Sequence, residues 1–243
     1  MATSKQVSNG SSPSSDWEQG YGFQFWRSRH GYRGDGAHGQ FCLVLPEQDV
    51  VIAITSGTRD MGAVLNLIWK RLLPAFGGEA LPADETAHRA LTTKLASLVL
   101  PAQTGGDVPA IARDVAGRTY QLEKNAAGWE SVRVNATNRD SGTFAVRIDG
   151  HDATLPVGNG EWRTGTWTLM GREEPVAASG GWTGTDRYTV KVARYRTPYV
   201  LTFRLRFDGD RVEIEREQNA TIAGPRVTTY KGTAVAVPVS AGR

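Results

Sequence analysis

The chain has 243 residues, 40% of them hydrophobic, which is enough for one large domain or two small ones with buried cores. Its 28 basic residues nearly balance its 25 acidic ones and form no block, which argues against a nucleic-acid partner. No apolar stretch approaches the length of a membrane span, and the N-terminus lacks the apolar core of a signal peptide. We therefore expect no membrane partner and a cytoplasmic location for the chain as it stands, whereas an upstream segment would leave the compartment unknown.

The first elements surround a glycine-rich turn. Residues 1–15 are rich in Ser, Asn and Gly and are predicted to be a disordered tail. Tyr21, Phe23 and Phe25 then alternate with smaller or polar residues, which predicts a strand with one face against a core. The turn predicted to follow spans Gly34–Gln40.

This turn matches the pattern G-x-G-x-x-G, which occurs in dinucleotide-binding proteins. That function requires the glycines to open a helix whose N-terminus faces the pyrophosphate. Here they lead into the strand-like run Phe41–Leu45, and no acidic ribose partner follows at the expected distance. The sequence therefore argues against a nucleotide cofactor, and no other cofactor is predicted.

Two strands and a helix are predicted next. Phe41–Leu45 and Val50–Thr55 are apolar runs joined by a four-residue turn, which predicts an antiparallel hairpin. Cys42, the single cysteine, lies inside the first run and is predicted to be a small buried apolar side chain. Apolar residues at helical spacing from Met61 to Leu72, ended by Pro74, predict a helix packed on the sheet.

Residues 16–76 resemble the C-terminal end of the catalytic domain of serine hydrolases related to class C β-lactamases and DD-peptidases. The resemblance rests on GYGFQFW, then GDGAHGQFCLVLPEQDVVIAIT, then the amphipathic helix, in that order and spacing. The family carries a Lys-Thr-Gly or His-x-Gly motif on the strand that edges its active site. By position, this motif falls on Gly34, Asp35 and Gly36 here.

The resemblance implies an oxyanion and substrate-binding site at Gly34, Asp35, Gly36, Ala37 and His38. It implies that the backbone N–H of Ala37 is one oxyanion donor, and the ring of His38 either borders the cleft or is structural. Asp35 either points into the cleft, where it would repel a substrate carboxylate, or turns to solvent. With Gly34 and Asp35 in place of a cationic motif, we expect a preference for neutral or cationic esters and amides over penicillins. The Trp26 side chain is expected either in the core or on the wall of the cleft.

The catalytic groups of that family are absent from the sequence. A serine nucleophile needs an activating neighbour, which the family supplies through Ser-x-x-Lys and Tyr-x-Asn. No lysine here follows a serine by three residues, and no tyrosine precedes an asparagine by two. We therefore assign no catalytic residue, and no His, Cys, Asp and Glu cluster has the spacing of a metal site.

The second half of the chain predicts a different architecture. Asp84 begins a helix whose apolar stripe runs from Ala87 to Val99, and Pro101 ends it. Short alternating strands follow at intervals of about ten residues, with the clearest hairpin at Asp208-Gly209. By its position after the hydrolase-like part, this half resembles the lipocalin-like C-terminal β-domain of many family members. Four tryptophans are expected mainly in its core, with sugar or lipid binding as the less favoured role: Trp129, Trp162, Trp167 and Trp182.

The predicted fold class is α+β, with a partial β-lactamase-like antiparallel sheet and C-terminal helix, a linker helix, and a mainly antiparallel sheet or half-barrel. The predicted domains are a tail (1–15), the hydrolase-like part (16–78), a linker helix (79–106) and the β-domain (107–243). The favoured function is the C-terminal portion of a serine hydrolase acting on a small ester or amide, inactive alone. The alternatives are a stand-alone β-domain binding a small apolar ligand or a protein, and a degraded reading frame. Association through exposed strands of the incomplete domain is also expected.

Overall fold

The computed structural model describes residues 1–169, 171–222 and 225–235. The chain divides into two compact units, with the boundary between Val99 and Leu100. The first unit comprises residues 1–99 with 220–222, and the second comprises residues 100–219 with the described residues after 222. The end of the predicted β-domain, residues 236–243, lies outside the described residues.

The first unit contains an antiparallel sheet whose described strands follow chain order, β1 to β4. These strands are β1 Trp26–Arg27, β2 Tyr32–Gly36, β3 Gln40–Leu45 and β4 Val50–Ile54. The β3–β4 hairpin confirms the prediction at Phe41–Leu45 and Val50–Thr55. The strand predicted at Tyr21–Phe25 is wrong, because Gln24 has a left-handed backbone (φ 67°) and Phe23 is 57% exposed.

The predicted turn at Gly34–Gln40 is shorter than expected. Gly34 and Gly36 belong to β2 and pair with Cys42 and Gln40 of β3, so only residues 37–39 form the turn. The tail also makes backbone contacts, since Val7 forms an antiparallel bridge with Tyr21.

Helices follow the sheet in the first unit. Helix α1 (Met61–Leu67) is capped by the Asp60 carboxylate, which accepts from the Ala63 N–H, and continues into a π-helical turn at Ile68–Leu72 and a 3₁₀ turn at Leu73–Ala75. Its side chains Leu65, Ile68 and Trp69 are buried with Phe41, Leu43 and Leu45 in one apolar cluster. Helix α2 (Glu85–Ala96) begins at Asp84 as predicted, with the Asp84 carboxylate accepting from two backbone N–H groups. Its leucines remain exposed, as do those just beyond it.

The second unit is a barrel, preceded by the short helix α3 (Ile111–Val115). Its described strands are β5 Thr119–Leu122, β6 Trp129–Asn135, β7 Ser141–Ile148, β8 His151–Gly158, β9 Arg163–Leu169, β10 Arg172–Trp182, β11 Arg187–Ala193, β12 Val200–Asp208, β13 Arg211–Gln218 and β14 Val227–Ala234. Nine of these described strands form a closed ring, and β9 pairs with β10 outside the ring. The hairpin predicted at Asp208-Gly209 is confirmed, since Asp208 pairs with Arg211 across it.

The α+β prediction is wrong, because strands dominate the described residues and one of the two sheets closes on itself. Two long-range pairings close the ring. Strand β14 pairs with β5, more than a hundred residues earlier, at Gly232 and Leu122. Strand β10 pairs along one edge with β9 and then, at Ser179, with Gly158 of β8, while its other edge pairs with β11. At Gly180 a side chain would meet the Thr189 carbonyl at 2.7 Å. A half-barrel would have left strand edges unpaired, and closure removes them.

The barrel interior is filled by aromatic side chains. The ring of Phe203 lies 5.1 to 6.2 Å, centroid to centroid, from the rings of Phe144, Trp129 and Trp167. Trp129 also stacks on Tyr230 at 5.8 Å. Burial of such rings is the main favourable contribution to the stability of a domain this size.

Candidate functional site

The β2–β3 connection is a three-residue turn anchored by the chain after β4. His38 and Gly39 both have left-handed backbone angles (φ 67° and 84°). The Ser56 hydroxyl donates to the carbonyl oxygens of His38 (2.7 Å) and Gly39 (3.0 Å), and the Thr58 N–H donates to His38 O (3.1 Å). A side chain at residue 39 would meet Ser56 Oγ at 2.3 Å, so glycine is required there. The turn is therefore fixed in one conformation.

The five predicted site residues do not share one surface. Alternate residues of a strand point to opposite faces of a sheet. Gly34 and Gly36 lie on one face of the sheet, and Asp35 lies on the other, with Phe41 and the helix-contacting core. Ala37 is exposed at the start of the turn, whereas His38 is buried, with 7% of its surface exposed.

Asp35 forms a buried ion pair with Arg33. Both residues project from the same face of β2, and the Arg33 Nη2 and Nε atoms lie 2.8 and 2.9 Å from Asp35 Oδ2. The Arg33 side chain is fully buried and that of Asp35 is 8% exposed. Neither predicted position of Asp35, in the cleft or in solvent, describes this arrangement. Its charge is neutralised within the protein, so it gives no reason for repulsion of a substrate carboxylate.

The Arg33 guanidinium is enclosed by aromatic rings. It lies 5.0 Å from the ring centroid of Trp17, 5.7 Å from that of Trp26 and 6.0 Å from that of Phe41. A cation over an aromatic face is attracted by the ring quadrupole, by about 2 kcal/mol where water is excluded. Trp26 is therefore part of the packing around Arg33.

A second buried charge, Asp16, links this cluster to the helix. Its Oδ2 atom accepts from the Trp69 indole at 2.9 Å and lies 2.8 Å from Arg29 Nη2, and its backbone carbonyl accepts from Arg33 Nη1 at 2.9 Å. A local pattern indicates Arg33, because Arg-x-Asp places two opposite charges on one strand face. No local pattern indicates Asp16, whose partners are 13 to 53 residues away.

The opposite face of the sheet, which we call the open face, carries no charged residue on β2, β3 or β4, and Arg27 of β1 lies at its edge, paired with Tyr32. Its residues are Tyr32, Gly34, Gly36, Gln40, Cys42, Val44, Val51 and Ala53. Cys42 and Ala53 are exposed and Val51 is 67% exposed. The prediction that Cys42 is buried is wrong, because β3 directs its odd-numbered side chains to the core and Cys42 to the open face.

The hydroxyl groups near the turn are bound to other groups. Ser56 donates to backbone carbonyls, and Ser28 Oγ accepts from Arg33 Nη1 at 2.7 Å. Within the described ranges, no group of three or more His, Cys, Asp and Glu side chains is placed to hold a metal ion. What this region offers chemically is backbone N–H groups and a glycine surface.

Comparison of the chain with protein-family models and with curated proteins found no match. Among the helices of the described residues, none combines the length and the apolar character that crossing a membrane requires.

Proposed function

We propose that the first unit supplies the substrate-binding strand and sheet of a β-lactamase-related serine hydrolase acting on small esters or amides. The nucleophile and its activating groups would come from a segment outside these 243 residues. The observation that carries the proposal is the open face, which is exposed and uncharged across β2, β3 and β4 and includes Gly34 and Gly36 of the family motif.

An exposed antiparallel sheet face normally alternates polar side chains toward water. On the open face the middle row is Gly34, Cys42 and Ala53, and the row beside it is Tyr32, Val44 and Val51. An exposed surface that is uncharged across three strands marks a place where another protein segment packs. A nucleophile-bearing segment packed there would face the strand that ends at Gly36 and Ala37.

The turn contributes rigidity to this role. Catalysis of acyl transfer depends on donors that are already in place where negative charge develops, and loss of one donor costs about 2.7–4 kcal/mol of transition-state stabilisation. Ser56 and Thr58 hold the carbonyl oxygens of His38 and Gly39, which fixes the two peptide planes that follow His38. The Ala37 N–H belongs to the peptide that leaves β2 at Gly36, which is paired with Gln40. Ala37 is compatible with a backbone donor, since such a donor does not depend on the side chain.

The expected substrate preference rests on fewer residues than the sequence suggested. Because Asp35 is paired with Arg33, repulsion between Asp35 and a substrate carboxylate no longer supports this preference. The remaining difference from the penicillin-hydrolysing pattern is Gly34 in place of a cation. We retain a preference for neutral esters over carboxylate-bearing β-lactams on that residue alone.

The test begins with the chain by itself. A fluorophosphonate probe should label no serine, and an activated short-chain ester should not be hydrolysed above background, because no activated nucleophile is recognisable. Stoichiometric labelling of one serine would contradict the proposal. The reading frame directly upstream should encode Ser-x-x-Lys and Tyr-x-Asn, and its lack of both motifs would equally count against it.

The longer protein carrying those motifs provides the second arm. Its nucleophilic serine should be labelled, and Ala53→Lys should abolish labelling by placing a charge in the middle row of the open face. Thr143→Lys, on an exposed position of barrel strand β7, is the matched control and should leave labelling unchanged. Equal labelling of the Ala53→Lys protein would show that the open face does not border the site.

A further inference from the structure

Trp162 differs from the other three tryptophans of the barrel unit. Trp129, Trp167 and Trp182 are 1 to 8% exposed and belong to the core, whereas Trp162 is half-buried between β8 and β9. Its indole N–H donates to the carbonyl of Leu100 at 2.8 Å. This bond fixes the ring orientation, and the ring becomes one wall of a groove on the outside of the barrel.

This outer groove has a volume of about 410 Å³. Its walls are Trp162, Leu100 and Pro101, and its floor is formed by outward-facing residues of β11, β12 and β13. Lys191, Thr202 and Glu217 are adjacent across these three strands. The volume lies within the range of small-molecule sites, about 300–1,000 Å³.

The charges of the groove floor leave one cation uncompensated. Glu217 accepts from Arg204 at 2.8 Å and also pairs with Arg226. Arg204 is shared further with Glu215 at 2.5 Å. In the described part of the chain no carboxylate lies within salt-bridge distance of Lys191, whose ammonium is 3.5 Å from the Pro101 carbonyl. The free positive charge of the groove is therefore on Lys191.

We propose that the outer groove binds a small organic monocarboxylate whose acid group is attached to a six-membered ring. The carboxylate would pair with the Lys191 ammonium, and the ring would lie against the indole of Trp162 and the apolar surfaces of Leu100 and Val200. Arg204 is already paired with two glutamates, so it lines the edge of the site and does not bind the ligand carboxylate. Aromatic acids and sugar acids share this chemistry. This inference does not depend on the hydrolase proposal.

The test follows the indole N–H resonance of Trp162 in the full chain labelled with ¹⁵N-tryptophan, assigned by comparison with Trp162→Phe. Benzoate and glucuronate are titrated separately, with benzamide and methyl glucoside as their neutral counterparts. We expect a saturable shift of the Trp162 signal with at least one of the two acids, with a Kd of about 10 mM or tighter. The neutral counterpart should bind at least about tenfold more weakly.

Two lysine variants complete the experiment. Lys191→Met should weaken binding of the acid by about tenfold or more, whereas Lys231→Met, at an exposed position of β14, should leave it unchanged. A response to benzoate alone identifies aromatic acids, and a response to glucuronate alone identifies sugar acids. No saturable shift with either acid, equal binding of acid and neutral counterpart, or unchanged binding in Lys191→Met would each overturn the proposal.

Discussion

The two units of this protein differ in how the apolar side chains of their sheets are covered. The barrel of the second unit closes on itself, so its described strands have neighbours and its apolar side chains meet in one interior. The sheet of the first unit is open. One of its faces is covered by α1 and the turns after it, and the other is exposed and uncharged across β2, β3 and β4.

The difference extends to the use of charge. The first unit places Arg33, Asp16 and Asp35 inside, held by hydrogen bonds and aromatic rings. The interior of the barrel is apolar and aromatic apart from Arg216, which lies on the inward face of β13 opposite Phe203. The ion pairs of the second unit, such as Arg147 with Glu130, are partly exposed. Closure therefore supplies the second unit with a self-sufficient core, whereas the first unit depends on a few buried charges and leaves a surface for another segment.

The largest expected effect is on the barrel core. Phe203→Ala removes a ring that touches three other aromatic rings, and the cavity should lower the free energy of unfolding of the second unit by about 4–5 kcal/mol. Urea unfolding, combined with amide hydrogen exchange at Val190 and Leu43, separates the two units. Equal loss of protection at both amides would show that the units do not unfold independently.

Removal of a buried charge should be nearly as costly in the first unit. Arg33→Met leaves the Asp35 carboxylate buried without its partner, and should lower the free energy of unfolding of that unit by about 3–4 kcal/mol. The double variant Arg33→Met/Asp35→Asn should recover part of the loss, because no charge remains buried. Arg211→Met, at an exposed barrel position, serves as control. A double variant no more stable than the single one would argue against the ion pair as the cause.

Alkaline pH should weaken the barrel through Tyr188. Burial raises the pKa of the Tyr188 phenol, so the folded state keeps it neutral after the unfolded state has ionised. The contribution is intact below about pH 10, the pKa of an unfolded tyrosine, and declines above it by up to about 1.4 kcal/mol per pH unit. Urea unfolding from pH 8 to 11 measures the slope. Tyr188→Phe should reduce it, with burial of Tyr120 and Tyr230 accounting for the remainder.

The smallest effect on stability is expected at the open face, which is tested by the reactivity of Cys42 and by self-association. Cys42 should react with a thiol reagent in the native protein without denaturant, because its side chain is exposed. Val51→Lys should change the free energy of unfolding by no more than about 0.5 kcal/mol while reducing self-association measured by sedimentation. A thiol that reacts only after unfolding would show that the open face is covered.

The sequence by itself determined the local elements. The hairpin β3–β4, the α2 start at Asp84 and the hairpin at Asp208-Gly209 follow from apolar periodicity, capping and turn residues within a few positions of each other. The short alternating strands predicted for the second half are also present, and alternate residues of β6 and β7, such as Val132, Val134, Phe144 and Val146, are buried in the barrel. Such features depend on residues close together in the chain, so they can be predicted from a single sequence.

The tertiary structure decided which face each strand presents and what each buried charge meets. Ring closure joins β14 to β5, and neither strand carries a local sign of the other. Cys42 is exposed because the register with β2 and β4 leaves its face uncovered, and Asp35 is neutralised because Arg33 is held beside it by Asp16, Trp17 and Trp26. These outcomes depend on contacts between residues far apart in sequence, and apolar periodicity identifies a strand without specifying what covers it.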